Sequence, residues 1–450
     1  MTADAPAVTT RLAAFCAALS YDDLDRDTVE ATRKAFVDTL GAAYAGTTTD
    51  PGRRMMAYVA SLDGDDATVV GSDDRALAQH AALANGTTAH ALDVDDGHRG
   101  ASAHPGSAII PAALALGETH GATGETVLTA IVAGYEAMVR TAVAVQTSHR
   151  ERHFHATGTT GCFGAAAAAS HVLGLDETRT AHALGLAGTQ AGGLFEFLAK
   201  GSMSKRFHPG RAAMAGVIAA ELAAAGFDGP DTIIEGTDGF AAAFADEYDL
   251  STFDSLGDPF AVTESYLKPY PCCRHIHGPI QAALALRDEG LDPEAVAGIE
   301  VQTYRTASYH DNTAIANLLD AQMSLPYGVA VALVTGEASL EQFEPATADR
   351  DDVAALLERI TVVATDEMEG LYPETRPARV VVETTHGDRL ERLITYPKGA
   401  AEAPLSRDEL ELKFRDLTRD VLPADDRDRR FELAYGLDEY DTVAALTEQL

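Results

Sequence analysis

The sequence predicts a mainly α protein, a large all-helical domain with a smaller α+β unit inserted near its C-terminal end. Three observations carry that reading. From the N-terminus to about residue 267, apolar residues recur at helical spacing and hardly ever alternate with period two. Alternation is confined to residues 268–398. After Lys398-Gly399 the helical pattern returns, so 1–267 together with 399–450 form one domain and 268–398 the other. A chain of 450 residues is long enough for two cores.

The elements follow in order. Arg33–Gly46 carries Ala35, Phe36, Leu40, Ala43 and Tyr44 on one helical stripe. Further helical runs are Ala76–Leu92, Ala108–Glu118, Glu125–Ala142, Cys162–Leu173, Glu177–Gly188 and Ala212–Ala225. Their alanines let helices approach closely, and Gly or Asp-Gly steps break them at short intervals. In the smaller unit Ile299, Val301 and Thr303 alternate with Glu300, Gln302 and Tyr304, a strand pattern. Ile360–Thr365 is a second strand, and Arg379–Thr385 with Arg389–Tyr396 flank His386-Gly387-Asp388 as a hairpin. Helices Gln322–Thr335 and Asp351–Arg359 lie between these strands. Ser406 followed by Glu409 forms a capping box that opens a helix over Arg407–Val421.

Charge narrows the function. Lys plus Arg number 34 against 69 Asp plus Glu, a formal charge of −35. A field this negative repels phosphate backbones, which excludes nucleic acid as a partner. Six of the cations are Lys, there is no Trp, and acids cluster as Asp22-Asp23, Asp65-Asp66, Asp73-Asp74 and Asp425-Asp426. That balance resembles proteins of salt-accumulating halophiles, where salt screens self-repulsion; an ordinary acidic enzyme is the alternative. No apolar run of about 18 residues is free of polar interruption, so no membrane span is expected. MTADAPAVTT lacks a basic n-region, and Cys16, Cys162, Cys272 and Cys273 make no disulfide scaffold, so the expected location is cytoplasmic. The signatures G-x-x-x-x-G-K-[ST], G-x-G-x-x-G after a strand, H-E-x-x-H and G-x-S-x-G are missing, as is any three-Cys iron–sulfur spacing. No cofactor and no metal are expected.

Four segments concentrate reactive side chains. Asn85–His98, followed by His104-Pro105-Gly106, puts three carboxylates and three His between residues 90 and 104. His104 is a candidate base or carboxylate binder, and Asp93 a residue to orient it; the alternative is a capped helix end and an acidic turn. His153–Gly161 is a Gly/Thr loop running into an Ala-rich helix, where free N–H groups and hydroxyls suit an anion beside His155; the alternative is ordinary helix entry. Lys200–Arg211 gathers Lys200, Lys205, Arg206, His208 and Arg211 in a chain short of cations. That local reversal of sign suits a polycarboxylate, against a charge-balancing loop. Lys268–His277 holds Cys272, Cys273, His275 and His277. Soft ligands invite a metal, yet adjacent cysteines rarely chelate one ion, and contact with an anionic substrate is preferred.

In this order the four segments resemble the MmgE/PrpD family, which includes 2-methylcitrate dehydratase, cis-aconitate decarboxylase and iminodisuccinate epimerase. The resemblance covers nearly the whole chain and rests on Asn85–Asp96 with His104-Pro105, His155–Gly161, Gly201–Arg211 and Lys268–His277. It implies a helical domain built from both chain ends, an α+β lid, a homodimer, and a cofactor-independent active site between lid and helical domain. The family's site positions fall on Asp93, His104, His155, Lys205, Lys268 and Tyr327, the last in Ser324-Leu325-Pro326-Tyr327. The resemblance makes His104, His155, Lys205, Tyr327 and Asp93 the catalytic candidates. Lys268, Arg206, Cys273, His275 and His277 are the substrate-binding ones.

The reaction expected is dehydration of 2-methylcitrate or a similar small polycarboxylate. The alternatives are epimerisation of a dicarboxylate, or decarboxylation of cis-aconitate to itaconate. Decarboxylase members carry His five residues after the lid Lys, where this chain has Cys273, and Thr where it has Gly97; both differences point away from decarboxylation. The stretch from Asp96 to His104 is also shorter than in the best-known methylcitrate dehydratases. A catalytically idle acid-binding protein is a further class, and retention of His104, Lys205 and Lys268 argues against it.

Overall fold

A computed structural model of the protein describes residues 7–199 and 201–450; Lys200 lies outside the described residues. The chain is mainly α and divides into two compact units, one running to Leu267 and resuming at Arg407–Leu450, the other Lys268–Ser406.

In the first unit, Asp25 caps the helix Arg26–Thr47 by accepting from the Thr28 N–H, and Phe36, Leu40 and Tyr44 face the core. The returning C-terminal helix Arg407–Leu417 closes on it. Phe414 packs edge-on to Tyr44 with ring centroids 6.3 Å apart, and its full burial contributes about 3 kcal/mol. Lys413 on the same helix pairs with the buried Asp38 and donates to the Val94 carbonyl at 2.8 Å. The two ends of the unit's chain are thus tied to each other and to the segment that carries Asp93.

Small residues set the helix spacing. A Cβ on Gly134 would lie 2.9 Å from the Gly164 carbonyl oxygen, so Gly124–Val145 and Gly161–Val172 approach backbone to backbone there. A Cβ on Gly86 would lie 2.7 Å from the Gly210 Cα, which brings Ala78–Ala89 equally close to Ser204–Ala224. Gly124–Val145 is long and apolar enough by length and composition to cross a membrane, but Glu136 and Arg140 interrupt it and 94% of its most apolar window is buried inside the protein. It is a core helix.

The unit is not purely helical. Gly97–His98 pairs antiparallel with Ser265–Tyr266, and Ala67–Thr68 with Arg75–Ala76. Two predicted boundaries also move. The last basic segment is not a loop before a helix at Ala212, because the helix starts at Ser204 and runs through Pro209. His153–Gly161 is not an open Gly/Thr loop, because Ala156–Thr159 is already a helical turn.

The second unit carries a four-stranded sheet in the order Ile360–Ala364, Val296–Thr303, Ala378–Thr384, Arg389–Ile394. The first pair is parallel and the others antiparallel, with Ile299 opposite Ile360 and Val301 opposite Val380. Val296, Val301, Val380 and Val382 are fully buried together with Ile276, Ile280 and Leu325. Gly387, at φ +88°, makes the tight turn of the last hairpin. The helix predicted over Gln322–Thr335 begins later, at Leu325, and a separate short helix, Leu318–Gln322, precedes it. Ser324 breaks it by capping the Tyr327 N–H ahead of Pro326, whose missing N–H suits a first turn. The helix opening at Arg407 stops at Leu417, short of Val421.

Candidate active site

The reactive residues of the first unit converge where two loops meet one helix. Asp93 follows the helix Ala78–Ala89 and sits at φ +60°, a left-handed conformation uncommon for a side-chain-bearing residue. Lys205, in the first turn of Ser204–Ala224, donates to Asp93 Oδ2 at 2.6 Å. Arg206 comes within 3.9 Å of the same oxygen and donates to the His90 carbonyl at 3.2 Å. His104 Nε2 stands 3.8 Å from Asp93 Oδ1.

The loop's own hydrogen bonds hold this arrangement. His104 Nδ1 lies 2.7 Å from the Asp96 carbonyl, so its proton sits there and Nε2 carries the lone pair in the neutral ring. The His104 N–H donates to Thr157 at 3.1 Å. Asp96 is fully buried and accepts from Tyr135 at 2.7 Å and from the Gly106 N–H at 2.9 Å. Burial pushes its carboxyl up to about 8 against those donated bonds.

Behind His104 is a cluster of imidazoles. His90 packs edge-on to it with ring centroids 4.6 Å apart and contacts Asp95 through Nδ1 at 2.8 Å, both residues fully buried. His155 Nδ1 and His208 Nδ1 are 2.9 Å apart, close enough to share one proton. Burial first, then His208 and His90, hold His155 well below the ordinary imidazole range; burial, then Arg211 and Lys205, lower His208 to about 4. Both rings are neutral near pH 7. His208 borders a cavity of about 630 Å³ whose walls include Gly193, Phe197, Ser204, Phe207 and Arg211.

Four of the sequence candidates, Asp93, His104, Lys205 and Arg206, therefore meet, and His155 joins them through its imidazole neighbours. The hydroxyls of 157–160 are not an anion cradle. Thr160 donates to the Ala156 carbonyl at 2.9 Å, Thr159 pairs with His149 at 2.9 Å, and Thr157 accepts from His104. His90, Asp95 and His208 fall inside the sequence segments but were given no role there. His208 lies three residues after Lys205, a helical i,i+3 spacing that becomes legible once the helix is known to start at Ser204.

The second unit places its candidates differently. Lys268 is buried. His277 is fully buried with Arg274 at 3.0 Å on Nδ1 and the Cys272 carbonyl at 3.2 Å on Nε2, a structural arrangement. Tyr327 is a core residue: it is fully buried against Phe343, and its hydroxyl donates to the Gln342 carbonyl. Cys273 and His275 are half-buried beside His310, which the sequence did not suggest. Burial, then Arg376, His310 and Arg274, keep His275 well below its ordinary range.

Two groups among the described residues bring three or more metal-ligating atoms within 4.8 Å of one another: His90, Asp93, Asp95 and His104, and Cys273, His275 and His310. In the first, the Lys205 ammonium already neutralises Asp93.

The MmgE/PrpD N-terminal domain matches residues 10–252 and the MmgE/PrpD C-terminal domain residues 270–439. The chain is 28% identical to a cis-aconitate decarboxylase-like protein, oryM, of Aspergillus oryzae, over 98% of this chain and 96% of that one. It is 26% identical to the cis-aconitate decarboxylase of Aspergillus terreus, over 98% and 96%, and 26% identical to that of Homo sapiens, over 94% and 90%.

Proposed function

The chain belongs to the MmgE/PrpD family, and on that premise we propose that it is a lyase that decarboxylates a small unsaturated tricarboxylate of the cis-aconitate kind. The observation that carries this reading is the Lys205–Asp93–His104 arrangement, a fixed ammonium beside an imidazole whose lone pair is set on Nε2. Relatives named for that activity align over nearly the whole chain.

The chemistry follows from the substrate. Loss of CO₂ from the methylene carboxylate leaves an electron pair that forms a new terminal alkene. The former alkene carbon, next to a second carboxylate, becomes nucleophilic and takes a proton. Negative charge grows on that carboxylate, where an ammonium already held in place lowers the barrier. Lys205 supplies that charge, with Asp93 positioning it. His104, proton-loaded from solvent, delivers the proton from Nε2. Arg206 adds a second cation for a remaining carboxylate.

A second reading is dehydration of a hydroxy-tricarboxylate such as 2-methylcitrate, favoured by Cys273 and Gly97 at positions where decarboxylase members differ. Proton NMR in D₂O with concentrated KCl separates the two. On cis-aconitate, decarboxylation replaces its vinyl signal with a terminal =CH₂ pair and leaves one deuterium in the product methylene. An untouched cis-aconitate, with new vinyl signals from citrate or 2-methylcitrate, overturns the decarboxylase in favour of the dehydratase.

A further inference from the structure

The reaction above makes no use of the cysteine–histidine group of the second unit. Cys273 Sγ and His310 Nε2 are 3.8 Å apart, and one ring nitrogen of His275 completes a set lying within 4.8 Å of one another. We propose that Cys273, His275 and His310 bind a divalent transition-metal ion of the zinc class, leaving a fourth position for water or a carboxylate.

The donor set fits that ion. One thiolate and two imidazoles are borderline-soft ligands, and three protein ligands with an open fourth position is the composition of catalytic zinc sites. The spacing fits as well. Zinc bonds of about 2.3 Å to sulfur and about 2.0 Å to nitrogen, at a tetrahedral angle, put the two atoms about 3.5 Å apart. The observed 3.8 Å needs a small adjustment. The His275 and His310 rings lie 24° from parallel with centroids 5.5 Å apart, so joint ligation also requires one ring to turn.

The ligands are oriented by backbone carbonyls and by the Tyr304 side chain, as metal-binding histidines usually are by such partners. His310 Nδ1 faces the Met323 carbonyl at 3.2 Å, which places its proton there and the lone pair on Nε2, toward Cys273. The Tyr304 hydroxyl holds His275 through Nδ1, and the Tyr304 ring is stacked on Tyr372 with centroids 4.4 Å apart. One short turn clamps two of the ligands. The Gln322 carbonyl accepts the Cys273 N–H at 2.9 Å, and the Leu325 N–H donates to the His310 carbonyl at 2.8 Å. The charges of Arg376 and Arg274 reach His275, so a thiolate-bound dication here favours an anion in its fourth position. The other ligating group contrasts with this one, because Lys205 already fills the cationic role beside Asp93.

The test is a spectroscopic titration of the full-length protein, stripped with chelator, exchanged into chelator-free reducing buffer and titrated with CoCl₂. Expected are visible bands of four-coordinate cobalt and a near-ultraviolet thiolate-to-cobalt band, saturating at one equivalent and bleached by one equivalent of zinc. Cys273→Ser removes the thiolate band, and His310→Gln lowers cobalt affinity at least tenfold. His104→Asn, in the other ligating group, leaves the spectrum unchanged. Circular dichroism checks each variant's fold, and His310→Gln decides the matter where Cys273→Ser fails to fold. Absence of the thiolate band, its survival in Cys273→Ser, or its loss in a folded His104→Asn overturns the site. The readout needs no turnover, so the metal site and the lyase reading fail independently.

Discussion

Lys205 donates to Asp93 at 2.6 Å, so its charge is oriented before any substrate arrives. Electrostatic stabilisation depends on that prior orientation, and removing one such group typically costs about 10²–10³-fold in kcat. Lys205→Ala is expected to lose that much in the NMR assay, with circular dichroism unchanged; turnover near the wild-type rate would remove Lys205 from the mechanism. At this scale the sequence was most legible where chemistry clusters along the chain. Asp93, His104, Lys205 and Arg206 stand out as carboxylate, imidazole and cations in an unusual neighbourhood, and they do meet. His310 was hidden, since only tertiary folding brings it to Cys273 from 37 positions away. Tyr327 shows the opposite limit. Its motif position makes it a catalytic candidate, while its hydroxyl donates to the Gln342 carbonyl, a partner that no local pattern reveals.

Helices were legible because apolar spacing and alanine content agree with each other, as in Glu177–Gly188, whose observed ends match the sequence reading. Their starts were less so. Pro209-Gly210 reads as a break, yet a proline can be carried inside a helix when neighbouring packing holds the turn, and Ser204–Ala224 runs through it. Gly210 is there for contact. A Cβ at that position would lie 2.2 Å from the Leu83 carbonyl oxygen and 2.4 Å from Thr87 Oγ1 on the facing helix. Backbone cannot give way as a flexible side chain does, so Gly210→Ala must part the two helices that carry Lys205 and lead to Asp93. The expected cost is about 1–3 kcal/mol, read as a lower urea midpoint, together with a drop in kcat exceeding any change in KM. A variant with wild-type midpoint and kcat would show that the close approach is not needed.

Over the whole molecule the formal charge of −35 and the buried imidazoles set opposite pH trends, and salt separates them. Raising KCl from about 0.1 M to about 1 M shortens the screening length from about 10 Å to about 3 Å. Self-repulsion then weakens, and the urea midpoint at neutral pH is expected to rise. In that high-salt condition the imidazoles can be read by difference between variants. Burial, followed by nearby arginines, lowers His98 and His149 to about 4 from an ordinary 6.5, as burial, Arg211 and Lys205 do for His208. A histidine whose pKa is depressed in the fold binds its proton first in the unfolded chain. Its contribution is therefore complete above about 6.5 and is lost as pH falls toward about 4, at about 3 kcal/mol for each deeply buried ring. Burial opposes ionisation of Asp438, but Arg33 and Tyr21 outweigh it and hold it below the usual carboxylate range, so its loss comes at lower pH still. Asp96, raised to about 8 by burial, adds the opposite slope between about 3.8 and about 8, so the histidine effect is read by difference. In about 1 M KCl the urea midpoint of His149→Gln should fall less than that of the wild type as pH drops below about 6.5. Wild-type and His149→Gln midpoints that change in parallel between about pH 6.5 and 4 would mean that His149 accepts a proton inside the fold without penalty.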